Sequence, residues 1–175
     1  MEAADVLSFW FAQKCERWFD RDDAFDGEIR LRFLALYEQA CRGDLEYWKQ
    51  SPSGCLALVI LFDQFPRNMF RGAAGAFASD ERARACARLI VEKGWDEAMT
   101  PDERTFAYLP FQHSEAMEDQ ELSIRLFEGR EDFEWARKHW EVIRRFGRFP
   151  QRNAALGRAN TVEEAEFLEQ PGSLF

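Results

Sequence analysis

Asp63 closes a run of eight residues, Cys55 to Phe62, that has no polar side chain. A carboxylate beside so apolar a stretch needs a cation, because burying an unpaired charge is costly. Arg67 stands four residues on, and Gln64, Asn68 and Arg71 share the stretch. Pro66 is expected to end the helix here, placing Asp63 near a helix C-terminus, where negative charge is unfavourable. Phe65-Pro66-Arg67-Asn68 is echoed by Phe149-Pro150-Gln151-Arg152-Asn153, and each follows an apolar stretch. Two readings are open. The Arg and Asn side chains form two halves of one polar pocket, or each Phe-Pro pair stops a helix and the polar residues cap carbonyls.

Residues 137–158 form a basic island, with seven Lys and Arg against one acid, Glu141. Arg148 and Arg152 lie inside it. Guanidinium groups suit carboxylates and phosphates because they donate in a planar fork. The island is either an anion site, for a phosphorylated metabolite, an acidic peptide or RNA, or a clamp onto the acidic remainder of the chain. Of these ligands RNA ranks last, because that remainder repels a polyanion.

There are two histidines, His113 and His139. His113, Glu115 and Asp63 have the chemistry for an acid–base cluster after folding. A satisfied, partly buried histidine is the competing reading. No His-x-x-x-His or paired Glu-x-x-His array appears, so no metal site is expected. No nucleophile elbow, phosphate loop or dinucleotide fingerprint points to a cofactor.

The elements that must position these groups read as helices. Val6, Phe9 and Trp10 share a face between Asp5 and Lys14. Phe25, Ile29, Phe33, Leu36 and Ala40 recur every three or four residues, behind Asp22, Asp23 and Asp26 and ahead of Gly43. A short turn covers Asp44 to Lys49. The apolar run Cys55–Phe62 fits a helix buried all round. Ser79 is a plausible N-cap for Ala83, Cys86, Ala87 and Ile90. Thr100-Pro101-Asp102-Glu103 and Thr161-Val162-Glu163-Glu164 are capping boxes. Pro110 is expected to kink or split its stretch. A helix then runs to about Glu128, with His113, Ala116, Met117 and Gln120 on one face. Phe133, Ala136, Trp140, Ile143 and Gly147 mark another. The adjacent pairs Trp10-Phe11 and Trp18-Phe19 cannot both face inward, so exposed aromatic surface is expected.

Composition agrees with a folded domain. The 175 residues are 46% hydrophobic and 31% charged, with net charge −9 and 17 Phe. The surface is too acidic for general nucleic-acid or anionic-membrane binding. No apolar run approaches the ~20 residues of a membrane span. Met1-Glu2-Ala3-Ala4-Asp5 has no basic start of a signal peptide. Cys15, Cys41, Cys55 and Cys86 are scattered and read as reduced, mostly buried thiols, so a cytoplasmic protein is expected.

Five stretches carry a resemblance: Val6-Leu7-Ser8-Phe9-Trp10-Phe11; Asp63 through Gly72; Leu109-Pro110-Phe111-Gln112-His113-Ser114-Glu115; Arg145 through Asn153; and Pro171-Gly172-Ser173. In order, over essentially the whole chain, they resemble the bacterial domain-of-unknown-function 924 family. The resemblance implies an all-α fold similar to tetratricopeptide-repeat proteins and implies no activity. That family carries His where this chain has Gln151, so it implies no metal or acid–base role at that position.

The expectation is one all-α domain over residues 1–175, about seven to nine helices in a tetratricopeptide-like superhelix. Two functions compete. One is a binding module for an anionic small molecule or peptide, through Asp63, Gln64, Arg67, Asn68, Arg71, His113, Glu115, Arg148, Arg152 and Asn153. The other is a metal-independent enzyme using Asp63, His113 and Glu115 as acid–base groups.

Overall fold

The apolar spacing of three and four residues does produce helices, and the chain is all-α. The computed structural model describes residues 1–13, 17–18 and 20–172, and no strand forms among them. Lys14, Cys15, Phe19 and Ser173, named above, lie outside the described residues. The chain divides into two compact units: Met1–Arg71 with Gly75–Pro110, and Gly72–Ala74 with Phe111–Phe175.

In the first unit, α1 (Ala3–Phe11) buries Val6, Phe9 and Trp10. The carboxylate of Asp22 accepts the Ala24 and Phe25 amides and starts α2 (Asp23–Arg42). Gly43, at φ 91°, ends it in a left-handed cap that a side chain would strain. The inward face of α2 holds the five expected residues and also Tyr37. Phe9, Phe33 and Phe65 form a ring chain with centroids 4.8 and 4.7 Å apart. Trp10 and Phe11 both reach the Phe106 ring, at 5.4 and 5.7 Å, but Trp10 is fully buried and Phe11 half-buried, and exposed aromatic surface lies at Tyr47 and Trp135.

A 3-10 turn (Glu46–Gln50) leads into α3 (Pro52–Val59). A Cβ on Gly54 would fall 2.2 Å from the Trp48 carbonyl oxygen, so only glycine lets the helix pass that close. The apolar run is helical and buried throughout. It does not stop at Pro66. The chain widens into a π turn at Ile60–Gln64, where the Phe65 amide bonds Ile60 oxygen, and continues as α4 (Phe65–Met69). Pro66 sits in the first turn of α4, where its missing N–H is tolerated. Asp63 therefore lies inside a continuous helical path, not at a C-terminus. The remaining helices of this unit are α5 (Asp80–Glu92) and, as far as Pro110, α6 (Pro101–Gln112). Thr100 and Glu103 exchange their expected capping bonds ahead of α6.

Helix α6 carries Pro110 in its interior and ends at Gln112. The expected continuous helix to Glu128 is instead broken at residues 113–116, so His113 lies in a turn and not on a helix face. In the second unit, α7 (Met117–Phe127) packs along α8 (Phe133–Phe146). Gly147 caps α8 at φ 69°. The core face of α8 carries Ala136, His139, Val142 and Ile143, so His139 takes the place expected for the half-buried Trp140. A 3-10 turn (Pro150–Arg152) follows, and Thr161 and Glu164 form the capping box of α9 (Val162–Leu168). Val142, Ile143 and Phe149 form a core on which Met117, Phe146 and Phe167 pack. No helix among the described residues is long and apolar enough to cross a membrane.

Candidate functional site

The π turn points Asp63 into the first unit, where it is fully buried. Its Oδ1 lies 3.2 Å from Arg67 Nη1, so the pair four residues apart forms despite Pro66. Gln64 Nε2 donates to its Oδ2. Arg67 also forks onto Asp80, with Nη1 and Nη2 donating to the two carboxylate oxygens at 3.0 and 3.2 Å. Burial alone would lower the Arg67 guanidinium, but Asp63 and Asp80 raise it above its ordinary value. Arg71 forks onto Asp26 at 2.7 and 2.8 Å, and Asn68 donates to the same carboxylate at 2.7 Å. The hydrogen bond to Asp26 raises the Arg71 guanidinium.

The second Phe-Pro segment is tied within the second unit. Arg148 donates from Nε and Nη2 to the two oxygens of Glu164 at 2.6 and 2.8 Å. That bond holds the Glu164 carboxyl at about 2, with the Thr161 amide and Asn153 adding to it against desolvation. Burial would raise Glu115, but the Arg158 fork at 2.8 and 2.9 Å and the Phe149 amide hold it below its ordinary value. Arg152 stacks over the Phe149 ring at 4.6 Å and donates to the His113 carbonyl at 2.9 Å. Asn153, fully buried, donates to Asn160 at 2.8 Å. The His113 ring lies 6.0 Å from that of His139, whose Nδ1 meets the Trp135 carbonyl at 2.8 Å.

Each Phe-Pro segment is thus bound to carboxylates of its own unit: Asp26, Asp63 and Asp80 in the first, Glu115 and Glu164 in the second. Asp63 belongs to the first unit, His113 and Glu115 to the second. Asp26 was legible only as an acid favouring a helix N-terminus and Asp80 was not singled out, and nothing local marked them as partners of Arg71 and Arg67.

The basic island divides by partner. Arg148, Arg152 and Arg158 are engaged inside the fold, and Arg137 bonds Glu134 and Glu141 on the surface. Lys138, Arg144 and Arg145 are exposed and form no ion pair among the described residues, although the nearby Glu134, lowered first by its Arg137 hydrogen bond, is lowered further by the charge of Lys138. Instead they lie over rings: Lys138 over Trp135 at 4.3 Å, Arg144 over Trp140 at 4.7 Å, and Arg145 over Phe146 at 4.6 Å. These three cations, with Glu141, border a cavity of about 590 Å³ whose apolar lining is Val142, Phe146, Phe167 and Pro171. The Phe146 and Phe167 rings are 5.1 Å apart. Phe167 had no place in the sequence reading of the site, because only the fold of α9 brings it to α8.

No group of three or more His, Cys, Asp or Glu among the described residues is placed to hold a metal ion. Cys41, Cys55 and Cys86 are free thiols, Cys41 only half-buried.

These helices match a known family. Residues 6–172 fit the model of a bacterial protein of unknown function, DUF924, and the chain belongs to that family. Its fold is similar to that of ATU0120, a protein of unknown function from Agrobacterium tumefaciens, with TM-score 0.92 and 41% identity over 95% of this chain and 96% of that one. No curated protein matches the sequence.

Proposed function

We propose that the protein is a binding module for an anionic small molecule or peptide, seated in the groove on α8. One contrast carries the reading. The arginines first singled out by the sequence, Arg67, Arg71, Arg148 and Arg152, are engaged by the fold itself. A ligand of Arg67, Arg71 or Arg148 would have to displace a carboxylate held in a two-pronged pair, and a ligand of Arg152 would have to displace the His113 carbonyl. Lys138, Arg144 and Arg145 need no such exchange, and they surround a cavity within the usual size of small-molecule sites. A long polyanion such as RNA fits less well, because the chain as a whole carries net charge −9. A cytoplasmic setting accords with the free thiols Cys41, Cys55 and Cys86.

The test is a thermal-shift screen of anionic metabolites and acidic peptides, run on the wild type and on the double variant Lys138→Glu/Arg145→Glu. A ligand of the groove raises the wild-type melting temperature by mass action and leaves the variant unshifted. An equal shift in both proteins, or none in the wild type across the panel, overturns the reading.

A further inference from the structure

We infer that the ligand of the α8 groove is a small monocarboxylate with an apolar body, its head on the Arg145 guanidinium and its tail on the Phe146 and Phe167 rings. This rests on the anion-binding reading of the same groove and names the chemistry that fits it.

Three features select this class. The first is the state of Arg145. Its guanidinium carbon lies 4.6 Å from the centroid of the Phe146 ring, and it forms no ion pair among the described residues. The planar fork of N–H donors of such a group matches both oxygens of a carboxylate. The second is the floor. Val142, Phe146, Phe167 and Pro171 offer a ligand only apolar side chains, and such a surface rewards removal from water, not charge. The third is the charge of the rim: its one acid, Glu141, is already held by Arg137 at 2.6 Å, so the three cations set its sign. A phosphate would satisfy the cations but leave the floor unused. A carboxylate with a hydrocarbon body can lie with its charge toward Arg145 and its body across the rings.

The experiment is calorimetric titration of the full chain with acetate, hexanoate, octanoate, 1-octanol and inorganic phosphate. Acetate and phosphate are expected to bind weakly. Each methylene added up to octanoate should tighten binding by about fourfold, the ratio for ~0.8 kcal/mol per buried CH₂. Octanol should bind at least tenfold more weakly than octanoate. Arg145→Gln, at an exposed position that spares the core, should remove the preference for octanoate over octanol. Phosphate matching octanoate would leave the anion site standing and end the apolar body. Octanol matching octanoate would end the carboxylate head. Octanoate binding unchanged in Arg145→Gln would place the ligand elsewhere and overturn the assignment. Co-sedimentation with phosphatidylglycerol vesicles that octanoate does not disturb would assign the cations to a membrane surface instead. If no anion in the set binds, the anion-binding reading itself fails.

Discussion

The hydroxyl of Ser79 donates to the carbonyl of Phe62 at 2.7 Å, across 17 residues of sequence. Phe62 is the residue four before Pro66, so its carbonyl is the one that a helical N–H at position 66 would have taken. Proline has none to give. The π turn lets the helix pass Pro66, and Ser79 satisfies the acceptor left over. Ser79 sits at the start of α5 without capping it through its side chain, and this bond explains why.

Ser79→Ala should therefore destabilise the fold by about 1–3 kcal/mol, the cost of leaving a buried polar group unsatisfied. Both partners are buried, so water cannot substitute without opening the packing. Urea unfolding followed by circular dichroism reads the change as a lower midpoint. A midpoint equal to wild type would mean that the Phe62 carbonyl finds another donor.

Asp63→Asn should cost about 3 kcal/mol, near the lower end for a broken buried ion pair. The lower end applies because Arg67 keeps its fork on Asp80. The double variant Asp63→Asn/Asp80→Asn should lose more than the sum of the two single changes, since only it leaves Arg67 without a carboxylate. Strict additivity would show that the two carboxylates do not share one cation in solution.

How far the sequence foretold this depends on the range of each interaction. The inward face of α2, from Phe25 to Ala40, follows from spacing alone, because one helix turn sets it. The capping boxes at Thr100 and Thr161 are local and were equally readable. The Asp63–Arg67 pair was visible as an i, i+4 neighbour. Pro66 misled, since a π turn has no spacing signature of its own and its cost is met by Ser79 from a distant helix. Asp26 was readable only as a helix-start acid and Asp80 was passed over; their arginine partners come from tertiary contact. The groove was hidden for the same reason. The charges of Arg144 and Arg145 stood in the sequence, but which cations the fold would consume depended on where Glu115 and Glu164 landed.

Stability should fall on acidification, with Glu164 as a main cause. Its carboxyl is held at about 2 in the fold, against an ordinary value of 4.5. A depressed folded value favours the native state above the unfolded value, and that contribution is lost as pH falls from about 4.5 toward 2. Glu115, also lowered, acts in the same sense. Glu164→Gln should reduce stability at neutral pH and flatten the decline below pH 4.5. Thermal unfolding scanned over pH measures both. An acid limb unchanged in the variant would mean that Glu164 is not held by Arg148 in solution.

Arg145 and Arg148 are three residues apart, and reversing each charge should give opposite results. Arg148→Glu sets a carboxylate against Glu164, which now receives two hydrogen bonds from the arginine. Glu164 also closes the capping box of α9 by accepting the Thr161 amide at 2.8 Å, so repulsion there should loosen the start of that helix. The expected outcome is a lower melting temperature with no ligand present. Arg145→Glu breaks no ion pair among the described residues, and the contact it removes is the one over the Phe146 ring. At an exposed position the loss of one cation–π contact is small, about 0.5–1 kcal/mol. Its effect should appear in the titration with octanoate, where a carboxylate would meet a carboxylate. Paired melting curves and titrations of the two variants separate clamp from site. If Arg145→Glu unfolds the protein as readily as Arg148→Glu, the island is a clamp throughout and the groove holds no anion.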